Sequence, residues 1–75
     1  MKFFLFFMLI PFSLFSQSYQ EAVEFFNEKK LEKAQHIFSS ISESDENYLK
    51  SQEYLGDIAA YKKKWDESLK YYKYL

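Results

Sequence analysis

Three observations predict an all-α fold of four helices, paired into two helix-turn-helix units. The first is a self-similarity. Ala22, Phe25, Leu31, Ala34, Phe38 and Ile41 overlay Gly56, Ala59, Trp65, Ser68, Tyr72 and Leu75 at a constant offset of 34 residues, with no gap. Small lies over small at 22/56 and 34/68, and large apolar over large apolar at 31/65, 38/72 and 41/75; only 25/59, Phe against Ala, breaks the size match. A period of this length marks stacked helical hairpins. The second is that apolar residues beyond residue 18 recur at helical spacing and nowhere alternate as a strand requires. The third is a set of polar breaks, at 27–30, 39–47 and 62–64, that cut the apolar stripes into four.

Residues 1–17 stand apart from that pattern. Lys2 precedes a run from Phe3 to Phe15 that is apolar except for Pro11 and Ser13, and six of the nine phenylalanines lie in it. Thirteen residues are too few to span a bilayer core, which takes about 20 in a helix. A positive start, an apolar middle and a small residue before the cut are the layout of a secretory signal. The expected signal peptide is 1–16, with cleavage after Ser16, and the expected location is the periplasm or cell envelope.

The first hairpin is expected over 18–47. Ser18-Tyr19-Gln20-Glu21 fits a capping box, in which the serine accepts a backbone N–H and the glutamate reaches back. Ala22, Val23, Phe25 and Phe26 then form one stripe, with Glu21, Glu24 and Glu28 on the wet side. After Asn27-Glu28-Lys29-Lys30, a second stripe runs through Leu31, Ala34, Ile37, Phe38 and Ile41. The segment SSISESDEN, 39–47, is rich in turn formers. The second hairpin is expected over 48–75. Asp45 or Asn47 would cap its first helix, which carries Tyr48, Leu49, Tyr54, Leu55, Ile58, Ala59 and Tyr61. Lys62-Lys63-Lys64 ends that helix, and Asp66 would cap the last, with Leu69, Tyr72 and Leu75 as its stripe.

Composition narrows the chemistry. With no cysteine, the chain has no disulfide, thiolate nucleophile, cysteine-based metal site or lipoprotein anchor. A net charge of −1 gives no electrostatic reason to expect nucleic acid or anionic lipid as the main partner. His36, the single histidine, sits off its apolar stripe with no nucleophile or second ligand in the sequence around it. Glu21, Glu24, Glu28 and Glu32 alternate with Lys29, Lys30 and Lys33 as a solvated face rather than as a metal site. Neither a phosphate-binding glycine loop nor H-E-x-x-H is present. No enzyme activity, cofactor, metal or small-molecule substrate is expected.

The repeated residues resemble the tetratricopeptide repeat. Leu55-Gly56, Trp65 to Ser68, Tyr72 and Leu75 in the second unit, with Ala22, Phe25, Leu31, Ala34, Phe38 and Ile41 in the first, carry the likeness. Three positions depart from it: Ser68 stands for the usual alanine, Ala59 for an aromatic, and Glu46 where proline is usual between units. The resemblance implies a short right-handed α-solenoid and a non-enzymatic interaction scaffold. It implies a concave face lined by the first helix of each unit, here Tyr19, Val23, Phe26 and Asn27, then Lys50, Glu53, Asp57, Ala60 and Tyr61. Ala22, Phe25, Leu31, Ala34, Phe38, Ile41, Gly56, Trp65, Ser68, Tyr72 and Leu75 would be packing residues. The carboxylate clamp of one subtype is absent, because its positions hold Tyr19, Val23 and Tyr54. Helix-spaced aromatics more often serve as core than as a site, so Tyr19, Val23 and Phe26 are expected rather to pack beneath a neighbour.

The implied partner is another protein, through a peptide or helix, or further repeats of the same protein. Stacked units generally need three or more for stability. The pattern at Leu75 is therefore expected to lead into further repeats, or to a face that pairs with itself. An alternative reading makes these residues the sensing or docking segment of a larger bacterial signalling protein, such as a repeat-bearing membrane histidine kinase.

Overall fold

A computed structural model describes residues 18–73 and residue 75. The expected signal peptide, 1–16, falls outside the described residues. Four helices and no strands are found among those described: α1 over 18–27, α2 from Leu31–Ser39, α3 from Tyr48–Tyr61 and α4 from Trp65–Tyr72. None of them is long and apolar enough to cross a membrane.

The breaks expected at 27–30 and 62–64 are tight turns of the same backbone form. Lys29 and Lys63, 34 residues apart, both take left-handed backbone, with φ of 65° and 61°. The N–H of Lys29 donates to Phe26 O at 3.0 Å and that of Lys30 to Phe25 O at 2.8 Å. The second turn repeats the pair, Lys63 to Ala60 O at 2.9 Å and Lys64 to Ala59 O at 2.8 Å. Crossed bonds of this kind around one left-handed residue form a Schellman ending, which satisfies carbonyls a helix end would otherwise leave bare. The next residues match as well, Lys30 at φ −89°, ψ 70° and Lys64 at φ −93°, ψ 75°, so α2 and α4 start in the same register.

The core follows the small-over-large pattern. Ala22, Ala34 and Phe38 are fully buried, Leu55, Ile58 and Ala59 nearly so, and Tyr19, Val23, Phe25, Phe26, Leu31, Ile37, Tyr54 and Tyr71 pack around them half-buried. Helix α3 is the centre, packing against both α2 and α4. The Phe38 and Tyr54 rings stack at 4.6 Å and 6°, which joins α2 to α3. An aromatic pair of this kind adds about 0.5–1.5 kcal/mol beyond its burial.

Gly56 faces α4. A Cβ there would stand 2.6 Å from Cδ1 of Tyr72, so the ring occupies space that only glycine leaves. Ser68 is buried beside it, and its hydroxyl donates to Gly56 O at 2.9 Å. Ser68 therefore carries a satisfied polar group and does not loosen the contact.

Several expectations are corrected. Asn47 precedes α3 but makes no side-chain cap; its backbone (φ −94°, ψ 10°) is outside the extended region a cap requires. Asp45 instead accepts the Asn47 N–H at 2.7 Å, a local turn. Asp66 does not cap α4, because Lys64 holds that position; it lies with Glu67 in the first turn, near the positive end of the helix dipole. Ile41 lies past the end of α2, half-buried. Trp65 and Leu75, expected to pack, are 60% and 61% exposed, as no described helix covers that side of α4.

Candidate partner-binding face

Helices α1 and α3 meet at one surface, where the Phe26 ring contacts Tyr54 and Tyr61. Phe26, Asp57, Ala60 and Tyr61, four of the expected concave residues, line a shallow open concavity of about 480 Å³ there. Trp65, assigned from sequence to packing, forms its fifth wall. Beside it, Lys50, Glu53, Tyr54 and Asp57 line a smaller hollow of about 150 Å³. Asp57 belongs to both.

An aromatic ladder supports the surface from below. Tyr19 meets Phe38 edge-on at 5.9 Å and Tyr54 at 6.4 Å, and Phe26 meets Tyr54 at 5.0 Å and Tyr61 at 6.1 Å. Tyr19, Val23 and Phe26 thus pack on the core and remain partly open on the face. Burial, with Tyr54 and the Glu53 carboxylate nearby, raises the Tyr19 phenol above its ordinary value. Asn27 is exposed at the end of α1.

The charged groups are of two kinds. Three described lysines are held in ion pairs: Lys50 with Glu53 at 3.7 Å, Lys30 with Glu28 at 3.4 Å, and Lys62 with Glu32 at 2.6 Å, the last also donating to Gln35 at 2.8 Å. The Lys62 contact ties α2 to the end of α3 and holds the Glu32 carboxyl below the usual range. Lys29 sits 5.0 Å from the Tyr61 ring centre, with its ammonium 3.5 Å from the phenol oxygen. Asp57 is different. It is half-buried and accepts the Tyr72 hydroxyl, and no described lysine pairs with it. That hydrogen bond, more than burial, raises the Tyr72 phenol.

No known protein family, characterised protein or solved structure matches the chain. The face must therefore be read from its own chemistry. Among the described residues no group of acids and histidines is placed to hold a metal, and His36 is exposed on α2 away from the concavity. What the arrangement offers is a shallow apolar surface with one carboxylate in it, suited to holding a side chain presented by another molecule.

The structure brings Phe26, Asp57, Ala60 and Tyr61 around one hollow and adds Trp65 to them, with Tyr54 in the hollow beside it; the sequence had assigned Trp65 to packing. The signal for Trp65 was available: the turn at 62–64 is short enough to bring the first residue of α4 beside the last turn of α3.

Proposed function

We propose that this protein is an exported, non-enzymatic interaction scaffold of two tetratricopeptide-like hairpins, stacked as a short right-handed α-solenoid, that binds a peptide or helix of a partner protein. The concavity formed by Phe26, Asp57, Ala60, Tyr61 and Trp65 carries this reading, since it combines accessible aromatic area with a fixed polar group. The repeated turn backbone at 29/63 and 30/64 supports the two-unit repeat. Export rests on the signal-like residues 1–16.

Site-specific photo-crosslinking in the producing cell tests it. A photoreactive residue at Tyr61 is expected to capture a partner that one at His36, on the far exposed side of α2, does not. The same adducts from both positions would sink the reading.

A second reading has its own observation. Trp65 and Leu69 on α4, and Leu75 just beyond it, are 60–65% exposed. A further helix would cover them, whether from additional repeats, from the rest of a larger signalling protein, or from a second copy.

A further inference from the structure

Asp57 is a carboxylate drawn half out of water with a phenol for company and no counter-ion. Charged groups are rarely buried unless paired. No described lysine pairs with it: Lys50 pairs with Glu53, Lys62 with Glu32 and Gln35, Lys29 rests on the Tyr61 ring, and Lys63 and Lys64 line a separate hollow on Trp65. Around this carboxylate stand three aromatic side chains, Phe26, Tyr61 and Trp65. Aromatic faces attract cations, and the attraction grows as water is excluded. Lys29 already demonstrates the preference within the chain, resting its ammonium at cation–π distance from Tyr61.

We infer that this concavity takes a cationic side chain, arginine above all, from an extended peptide of the partner. The inference rests on the peptide-binding reading above and specifies what that face selects. A shallow, open hollow of about 480 Å³ cannot enclose a small free cation, whereas a side chain delivered by a peptide brings its own backbone to cover the opening. Arginine fits better than lysine, because a planar guanidinium can lie on the Trp65 indole while its edge donates to Asp57. Tyr72 donates to Oδ1 of Asp57, which steadies the carboxylate and leaves Oδ2 for the ligand. Lys29 flanks the site and opposes the incoming charge.

Trp65 is the sole tryptophan, so its fluorescence reports directly on the site. The full-length protein is titrated with a blocked peptide of glycines and serines around one arginine, and with the twin peptide carrying neutral, isosteric citrulline. The arginine peptide is expected to perturb Trp65 and to bind at least about tenfold more tightly than its twin, the range of one charge-assisted contact. Asp57→Asn keeps an oxygen for the Tyr72 hydroxyl while removing the charge, and is expected to erase that difference. Asp57→Glu should restore part of it, and Lys29→Ala should tighten the arginine peptide. Equal binding of the two peptides, or an unchanged preference in Asp57→Asn, overturns the cation assignment and leaves the peptide-binding face standing. No response of Trp65 to either peptide overturns both.

Discussion

Gly56 shows how one residue sets the distance between two helices. Without a Cβ it lets the Tyr72 ring lie against α3, and that approach brings the Ser68 hydroxyl onto Gly56 O and the Tyr72 hydroxyl onto Asp57. A glycine inside a helix costs about 1 kcal/mol relative to alanine, so its presence here is explained only by the contact. Gly56→Ala would recover that propensity but force the ring away, and overpacking of this kind costs about 1–3 kcal/mol. The expected result is a net loss of about 1 kcal/mol in urea unfolding. In a Tyr72→Ala background the same change meets no ring and is expected to stabilise by up to about 1 kcal/mol. Equal effects in the two backgrounds would show that the ring does not set the requirement. The need for a small residue at 56 was legible from the 34-residue overlay. The Asp57–Tyr72 and Phe38–Tyr54 contacts were not, because a stripe assigns a residue to a face without naming the ring it meets.

At the scale of the element, the turns at 28–30 and 62–64 carry the repeat more faithfully than the side chains do. Both place a lysine at a left-handed position that most helices give to glycine. An L-residue there pays about 1–2 kcal/mol of steric cost, and glycine would remove it while losing part to unfolded-chain entropy. Lys63→Gly is therefore expected to stabilise by roughly 0.5–1 kcal/mol. Lys29→Gly is expected to gain less, because it also removes the ammonium from the Tyr61 ring. Thermal unfolding of the two variants side by side decides this; a larger gain at 29 than at 63 would deny the cation–π contact any weight. The sequence breaks were legible as polar runs, so all four helices were anticipated. Caps were not, since Asn47 and Asp66 have the right chemistry but the chain places one in a turn and the other inside the first turn of α4. The burial of Ser51 and Gln52 on α3 was also missed, because polar residues give no signal to a count of apolar spacing.

Across the whole molecule the two ends are unlike. The outer side of α1 exposes Gln20, Glu21 and Glu24, while α4 exposes Trp65 and Leu69. Under the 34-residue correspondence, Glu21 and Glu24 stand where α3 buries Leu55 and Ile58. A second copy therefore cannot seat its α1 on α4 in the way α3 seats on α2, because two carboxylates would be buried without partners. Among the described residues the outer side of α1 is polar and that of α4 is apolar. The described helices enclose a small core, and a core of this size alone rarely supplies more than about 3–5 kcal/mol. An exposed apolar face on so marginal a fold favours association through that face. Two antiparallel α4 helices would set Leu69 near Leu69 of the second copy and bring the acidic first turn, Asp66 and Glu67, toward Lys70 and Lys73. The contact of two short helices falls below the roughly 1,200 Å² of a stable interface, so it should appear only at high concentration. Urea unfolding over about two decades of protein concentration should show a midpoint that rises toward the top of the range. Leu69→Lys is expected to abolish the rise and Glu24→Lys to leave it intact, because only the first alters the apolar side of α4. A midpoint independent of concentration in the unaltered protein would mean that α4 pairs with no second copy, and that its apolar side is kept for a different helix.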